Sequence, residues 1–288
     1  MNETRPSSAP TVQVVLIHHG EASRVAAAMP TVERLRDAMA TFGTVQIREI
    51  WRQAPLVPVP PSELASRRLR QWRTERRWAH HLGVSARWLL STGLLGVRLL
   101  QLLDPRHRAA AGRQAAIELA LTGKHELAWR HAYEDGTDLL VVVEDDARWR
   151  DDSGERVRNL MEAAASTGRL EDAFIDLAGG ISTKTLRTGG VRDVGPDGTA
   201  VLSRASTNTT CGYLLGRKLI EELAGLTVRQ PASARLPADW LINSCFMSLA
   251  KDPASLRVRC LHSVPHALDH GSFTGSVASS IRVARARG

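Results

Sequence analysis

A run of apolar residues that ends in three carboxylates constrains the fold of this chain more than any other feature. Asp138 to Asp146 reads Asp-Leu-Leu-Val-Val-Val-Glu-Asp-Asp. Consecutive aliphatic residues, several of them β-branched, are typical of a strand that is buried on both faces of a parallel sheet. Open sheets of this kind bind ligands at the carboxyl ends of their strands. The pattern therefore predicts an α/β protein with a charged site directly after this strand.

The first fifty residues indicate the same class of fold. Residues 12–17 are a β-branched apolar run, residues 21–41 have the period of an amphipathic helix, and residues 45–51 read as a second strand. The order strand, helix, strand is typical of a parallel, nucleotide-binding sheet. We therefore predict an α/β fold with a Rossmann-type mixed sheet flanked by helices. Further strands are expected at 173–178, 211–215 and 256–261, and further helices at 113–133, 154–166, 217–224 and 238–250.

The net charge of +8 is concentrated in one segment. Between Ser62 and Arg113 the chain has eleven arginines and three acidic residues, an excess equal to the whole net charge, so the remaining sequence is neutral. We interpret this segment as a basic helical insertion at about 62–112. Any electrostatic function of the protein should be sought there.

The insertion is predicted to contain two helices of different character. Residues 62–82 are arginine-rich, with Trp72 and Trp78 interleaved, whereas residues 85–103 are largely apolar. Arg98 lies well inside the apolar helix, and burying its charge in a bilayer would cost about 3 kcal/mol. The second helix is therefore expected to lie at an interface or against the core rather than to span a membrane.

The carboxylates of Glu144, Asp145 and Asp146 are the strongest candidates for chemistry. Side chains alternate along a strand, so Glu144 and Asp146 share one side and Asp145 faces the other. Carboxylates this close repel one another unless a cation neutralises them, and their hard oxygen atoms suit Mg²⁺ or Mn²⁺, which in turn bind diphosphate oxygens. A solvated acidic turn at the end of a strand is the alternative, and it stays open at this point.

Five short segments, taken in order, resemble glycosyltransferase family 25, which includes lipopolysaccharide and collagen galactosyltransferases. The resemblance covers roughly residues 115 to 281. Each segment alone is weakly specific, and together they are moderately specific. The segments are Leu121 to Trp129 with Ala132, Leu139 to Ala147, Thr210 to Leu223, Pro237 to Leu241, and Ser279 to Ile281.

The chain departs from the family pattern in several places. His18-His19, with Arg24 downstream, stands where the family has Asn-Leu and a following basic residue, and Lys124 replaces the serine before His125. The arginine-rich segment has no recognised counterpart in the family. These departures bear on the identity of the donor more than on the class of reaction.

The resemblance implies a GT-A-like fold, a divalent metal ion on the acidic motif and inversion at the anomeric carbon. The expected cofactor is Mn²⁺ or Mg²⁺, the expected donor is a nucleotide sugar (a UDP-hexose), and the acceptor is a hydroxyl group of a glycan or glycolipid. A cation that bridges the donor diphosphate stabilises the charge that collects on the departing phosphate. Inversion then requires a base near the acceptor hydroxyl, and a carboxylate is the usual choice.

Roles for individual residues follow from the resemblance. Asp239 is the predicted general base, although its place at the start of a helix also suits a helix-dipole role. His125, otherwise an ordinary helical histidine, is expected in donor binding, and His270 is preferred over His262 and His266 as a ligand. Ser279 and Ser280 contact donor phosphate or cap a final turn. The predicted metal ligands are Asp146, Glu144 and His270, and the predicted donor-binding residues are His125, Glu144, Asp145, Ser279 and Ser280.

The chain is long enough for one large α/β domain with an insertion. We expect a disordered N-terminus over 1–10, a single GT-A-like catalytic domain over 11–275 and a C-terminal tail over 276–288. Three widely spaced cysteines, an odd number, argue against a disulfide framework and fit a reducing compartment. Since the N-terminus has no signal-like segment, the protein is expected in the cytoplasm, with possible attachment to the inner face of the membrane.

Three other classes of function compete with the transferase. Arginines interleaved with tryptophans suit a basic module that binds an anionic membrane or nucleic acid, although no nucleic-acid fold signature is present and nucleic acid is not the expected partner. A metal-dependent phosphohydrolase would also use clustered carboxylates, but it needs more ligands than this strand supplies. A transferase-like fold that binds sugar nucleotides without turnover is the third alternative.

Overall fold

The computed structural model describes residues 9–51, 56–83, 95–166, 168–179, 191–229, 236–251 and 257–271. The predicted donor-binding residues Ser279 and Ser280 lie outside the described residues. Most of the second predicted insertion helix, at 84–94, also lies outside them.

The described strands form one large mixed sheet and one small sheet. They are β1 Thr11–His18, β2 Thr44–Trp51, β3 Leu139–Glu144, β4 Ala147–Trp149, β5 Ala173–Asp176, β6 Val191–Val194, β7 Thr199–Leu202, β8 Gly212–Gly216, β9 Arg259–Ser263 and β10 Leu268–His270. The large sheet has eight strands in the order β2-β1-β3-β8-β5-β9-β7-β6, and in the small sheet β10 pairs with β4. β1 is parallel to β2 and β3, whereas β8 runs antiparallel to both of its neighbours, β3 and β5. An α/β fold with a mixed sheet is thus confirmed, and its order is compatible with a Rossmann-like arrangement.

Helices cover both faces of the large sheet. They are α1 Ala22–Met39, α2 Pro61–Leu82, α3 Pro105–Glu134, α4 Ser153–Ala165, α5 Arg217–Arg229 and α6 Ala238–Leu249. Along β1, Val14 and Leu16 pack with α1 and α4 on one face, and Val15 and Ile17 pack with α3, α5 and α6 on the other. This alternation within one apolar strand is the reason why the strand is buried on both sides.

Several predicted boundaries differ from the structure. The acidic strand ends at Glu144 and is followed by a turn, and α3 begins at Pro105 rather than at residue 113. Pro105 suits the first position of a helix, and the Asp104 carboxylate caps this one by accepting from the Arg106 amide at 2.8 Å. The hairpin of β6 and β7 was not predicted, although the Gly-Pro-Asp-Gly sequence at 195–198 is a turn signal.

The basic segment packs against the rest of the α/β unit through apolar contacts. On α2, Leu64 packs with Ala115 and Ala116 of α3, while Trp78 packs with Met247 of α6. A short helix at 95–100 and a 3-10 turn at Gln101–Leu103 precede α3. Among the described residues, no helix is both long and apolar enough to cross a membrane.

Candidate metal centre and active site

The topology brings polar residues from several strands to one edge of the sheet. β1 and β3 are parallel and both end there, with Ile17 opposite Glu144. Because β8 is antiparallel to β3, its first residues lie at the same edge, and the Glu144 amide donates to the Cys211 carbonyl at 2.8 Å. In the small sheet, His270 of β10 pairs with Ala147 of β4. The acidic motif, Cys211 and His270 thus meet although they are far apart in the sequence.

Glu144 is held by a chain of buried hydrogen bonds. The Trp129 indole N–H donates to the Tyr213 hydroxyl at 2.9 Å, and that hydroxyl lies 2.8 Å from Nδ1 of His125, within hydrogen-bonding distance. His125 Nε2 lies 3.3 Å from Glu144 Oε1, to which the Thr210 hydroxyl also donates at 2.6 Å. Because His125 is fully buried, any part that it plays in donor binding runs through Glu144, which it orients.

These hydrogen bonds also set the charge of Glu144. Burial raises the pKa of the Glu144 carboxyl, but the hydrogen bonds and charge of its partners, His125 above all, outweigh burial and leave the pKa below its ordinary value. Glu144 is therefore ionised at neutral pH. It contributes a fixed negative charge to this edge of the sheet.

Asp145 is surrounded by cationic groups from the other side of the motif. Its carboxylate accepts from the Arg24 guanidinium and lies 3.2 Å from Nδ1 of His19. Burial raises the pKa of Asp145, but the hydrogen bonds from His19 and the charge of Arg24 leave it lowered. Lys124 is buried close by and donates to the His18 carbonyl at 2.7 Å. The residues in which this chain departs from the resembled motif therefore cluster around one carboxylate.

Asp146, Cys211 and His270 form a group of potential metal ligands. Asp146 Oδ2 lies 3.3 Å from His270 Nδ1, and the Cys211 thiol donates to Asp146 Oδ1 at 3.2 Å. The three ligand atoms all lie within 4.8 Å of one another. Asp146 and Cys211 are buried, and His270 is half-buried. The structure thus brings together Asp146 and His270, as predicted, and it adds Cys211.

The donor atoms of this group are one carboxylate oxygen, one imidazole nitrogen and one sulfur. Mg²⁺ takes oxygen ligands, so this set fits Mg²⁺ poorly. Mn²⁺ suits the carboxylate, whereas Zn²⁺ accepts all three atom types, with the thiol losing its proton on coordination. Glu144, the other predicted ligand, lies beside the group, with Oε1 bonded to His125 and Thr210.

Asp239 lies in the first turn of α6 and is half-buried. Burial raises its pKa to about 7, and the negative charges of Glu118 and Glu144 contribute to the rise. A carboxyl group with a pKa near 7 exchanges protons at physiological pH, which is the property that a general base requires.

Asn243 fixes α6 to the chain before β8, because its side chain accepts from the Thr207 amide at 3.0 Å and donates to the Thr207 carbonyl at 2.7 Å.

His262 lies in a separate buried cluster rather than at the metal-ligand group. Its Nδ1 is 3.4 Å from Asp176 Oδ2, and its Nε2 is 3.1 Å from the Ser206 carbonyl and 3.4 Å from the Cys260 sulfur. Cysteine, histidine and aspartate in this order resemble the triad of a thiol enzyme. All three are buried, however, and burial raises the pKa of the Cys260 thiol far above its ordinary value. The cluster therefore cross-links β5, β9 and the chain before β8.

Comparison of the sequence with models of known protein families and with curated proteins finds no match. The functional interpretation thus depends on the geometry of this edge of the sheet and on the resemblance of the sequence motifs.

Sequence reasoning did not single out Cys211, Thr210 or Tyr213 as site residues. All three lie in the segment that begins at Thr210, which resembles the family's strand-then-helix element with small residues and a tyrosine but was given no role at the site. Their roles depend on the antiparallel pairing of β8, which no local pattern shows. Arg24 was noted only as a departure from the family motif, and its pairing with Asp145 depends on how the β1–α1 connection folds back.

Replacing Tyr213 by phenylalanine is expected to destabilise the protein by about 1–3 kcal/mol, because it leaves buried polar atoms of Trp129 and His125 without a partner. Urea denaturation measures this difference. Tyr133→Phe, at the chain's other tyrosine, is the matched control, because Tyr133 is exposed. Equal stability of the two variants would show that the hydrogen-bond chain to Glu144 does not exist.

Proposed function

We propose that this protein is a metal-dependent, inverting glycosyltransferase of the family 25 type, with a GT-A-like fold. It transfers a hexose from a nucleotide sugar, expected to be a UDP-hexose, to a hydroxyl group of a glycan or glycolipid. The observation that carries the proposal is the ligand group Asp146, Cys211 and His270 beside Glu144, whose charge also reaches Asp239 and helps to raise its pKa to about 7.

The resembling segments support the proposal by their position. Three of the five contribute side chains to this edge, through His125 and Trp129, the acidic motif, and Thr210 to Tyr213, and the charge of Glu144 acts on Asp239 of a fourth. The fifth, Ser279 to Ile281, lies outside the described residues. Motifs that matched by chance would have no reason to meet at one site.

The donor diphosphate is proposed to bind beside Asp146. Asp146 and His270, with Cys211, would hold a transition-metal ion (Mn²⁺ or Zn²⁺), which neutralises the diphosphate charge. Glu144 is proposed to contact the donor, oriented by His125. Asp145 is proposed to act mainly by fixing the β1–α1 connection through Arg24, since its charge is already compensated there.

Asp239 is proposed to act on the acceptor. The acceptor oxygen forms a bond to the anomeric carbon while the bond from that carbon to the diphosphate oxygen breaks. The nucleoside diphosphate leaves with the electron pair, and the acceptor proton passes to Asp239. A single displacement of this kind inverts the configuration at the anomeric carbon.

A cytoplasmic location is proposed for the protein. Cys211, Cys245 and Cys260 are buried and form no disulfide, which suits a reducing compartment. Nucleic acid is not a proposed partner.

A thermal-shift screen of nucleotide sugars, each with Mn²⁺, Zn²⁺, Mg²⁺ or a chelator, tests the proposal. A ligand at about 100 times its Kd stabilises a protein by about 2.7 kcal/mol, which for a chain of this size raises Tm by about 5 °C. We expect such a rise only when a transition metal and a nucleotide sugar are both present. Release of nucleoside diphosphate in the presence of an acceptor then measures turnover. If no nucleotide sugar raises Tm with any of the metals, the proposal is wrong.

A further inference from the structure

A groove between α2 and the end of α6 is lined by basic and apolar side chains. It has a volume of about 830 Å³. We call it the basic groove and define it by six of its lining residues: Trp72, Arg73, Arg76 and Arg77 of α2, and Met247 and Lys251 at the end of α6. It is distinct from the candidate metal centre.

The charge of the basic groove is positive throughout. It contains three arginines and one lysine, and among the described residues that line it none is acidic. Arg73, Arg76 and Arg77 are exposed and lie on the solvent-facing side of α2. Guanidinium groups bind phosphate oxygens in a fixed, two-pronged geometry, so a phosphate is the ligand group that this set of charges suits.

Besides the aliphatic side chains exposed on the segment before α3, apolar side chains line the groove itself. Trp72 lines it with the guanidinium of Arg76 5.9 Å from its ring centre. Close to α2, the segment 95–103 exposes Val97, Leu100 and Leu103, and Arg98 links this segment to Glu75 of α2 at 3.8 Å. Exposed aliphatic side chains gain nothing from a nucleic acid, whereas acyl chains remove them from water.

We propose that the basic groove binds the phosphate headgroup of an anionic phospholipid. Not every arginine of the segment takes part. Arg67 is buried and pairs with Glu118 at 2.9 Å, so it stabilises the contact of α2 with α3. The basic segment thus divides into structural and lipid-binding arginines.

The groove also lies on the helix that carries the proposed base. Met247 and Asp239 are both on α6, and at 1.5 Å per residue they are about 12 Å apart along the helix axis. Trp240, next to Asp239, packs edge-on against Trp78 of α2 at 5.6 Å. If the proposed function holds, a lipid in the groove would keep a glycolipid acceptor in the adjoining membrane surface close to Asp239.

Co-sedimentation of the full chain with vesicles tests the lipid site. We expect binding to phosphatidylcholine vesicles that contain phosphatidylglycerol, weaker binding at high salt, and no binding to pure phosphatidylcholine. Arg73→Gln combined with Arg77→Gln should lower the apparent affinity by about 30-fold, taking about 1 kcal/mol for each arginine. The matched control, Arg34→Gln with Arg158→Gln, makes the same change of charge at exposed residues elsewhere and should bind like the unmodified protein.

Three outcomes would overturn the proposal. They are failure of the unmodified protein to bind phosphatidylglycerol vesicles at low salt, an equal loss in both double variants, and a loss in the Arg73/Arg77 variant of binding to single-stranded RNA but not to vesicles. The assay requires no turnover. Vesicle binding without any response to nucleotide sugars would therefore retain the lipid site and refute the transferase.

Discussion

Asp146→Ala is expected to abolish metal-dependent binding of the nucleotide sugar. Asp146 provides the oxygen ligand of the group that it forms with Cys211 and His270, and it lies within hydrogen-bonding distance of the thiol. Loss of even a supporting partner of a metal ligand typically lowers metal affinity about 10–100-fold, so loss of the ligand should exceed that range. Titration calorimetry with Mn²⁺ and UDP-hexose, together and separately, measures the effect.

Asp269→Ala is the control for this variant. Asp269 is the neighbour of His270 on β10, but it is half-buried and its carboxylate lies 3.4 Å from the guanidinium of Arg150. Its removal should leave donor affinity unchanged. If Asp146→Ala does not fold, the half-buried His270→Gln takes its place in the same titration. Metal-dependent donor affinity that survives in the Asp146 or His270 variant would rule out this metal centre.

Asp239→Asn is expected to lower turnover by about 10²-fold or more with little change in donor binding. Asparagine has nearly the same shape as aspartate but cannot accept the acceptor's proton. In the unmodified protein, turnover should rise with pH through about 7, where Asp239 loses its proton, and then level off. Initial rates between pH 5 and 9 measure both effects. Glu155→Gln, an exposed first-turn acid of α4, should change neither.

The same substitution should make the protein more stable at high pH. The raised pKa of Asp239 means that its protonated form is favoured in the folded state, a contribution that is fully present below the unfolded pKa and lost as pH rises through about 7. At pH 8 the unmodified protein therefore holds an unfavourable charge that the neutral amide of the variant does not carry. We expect the variant to be about 1–3 kcal/mol more stable at pH 8, with no gain near pH 4.

Stability and turnover together distinguish the two roles considered for Asp239. A residue that only interacts favourably with the helix dipole would lose about 0.5 kcal/mol of stability when its charge is removed, and turnover would not change. A general base loses turnover and gains stability at pH 8. A variant with normal turnover and reduced stability would therefore reassign Asp239 to the start of α6.

Much of the fold could be predicted because it depends on local patterns. The apolar runs of β1 and β3 require burial on both faces, and the helical period of α1 and α4 provides the apolar surface that covers them. The acidic motif follows from the same reasoning, since charges after a buried strand must lie at its end. The short strands β4, β6, β7 and β10 were missed, since three or four residues are few for a period, whereas β5, equally short, was predicted within the longer run 173–178.

Partnerships within the site depend on tertiary structure. His270 could be proposed as a ligand by resemblance, but Cys211 joins it only because β8 runs antiparallel and begins where β3 ends. Likewise, Arg67 and Arg73 belong to the same basic run, yet one is buried against Glu118 and the other lines a groove. Which face of a helix is covered depends on its neighbours, and a count of charges contains no information about them.

The sequence by itself thus determined the class of fold, the site of the acidic motif and the segment that carries the positive charge, because periodicity and charge are local properties. The tertiary structure decided which side chains meet the acidic motif and which groups each carboxylate interacts with. It also decided the pKa of Asp239, because desolvation and the nearby Glu118 and Glu144 act through space. Distances between side chains that are far apart in the sequence set these properties, and such distances exist only in the folded chain.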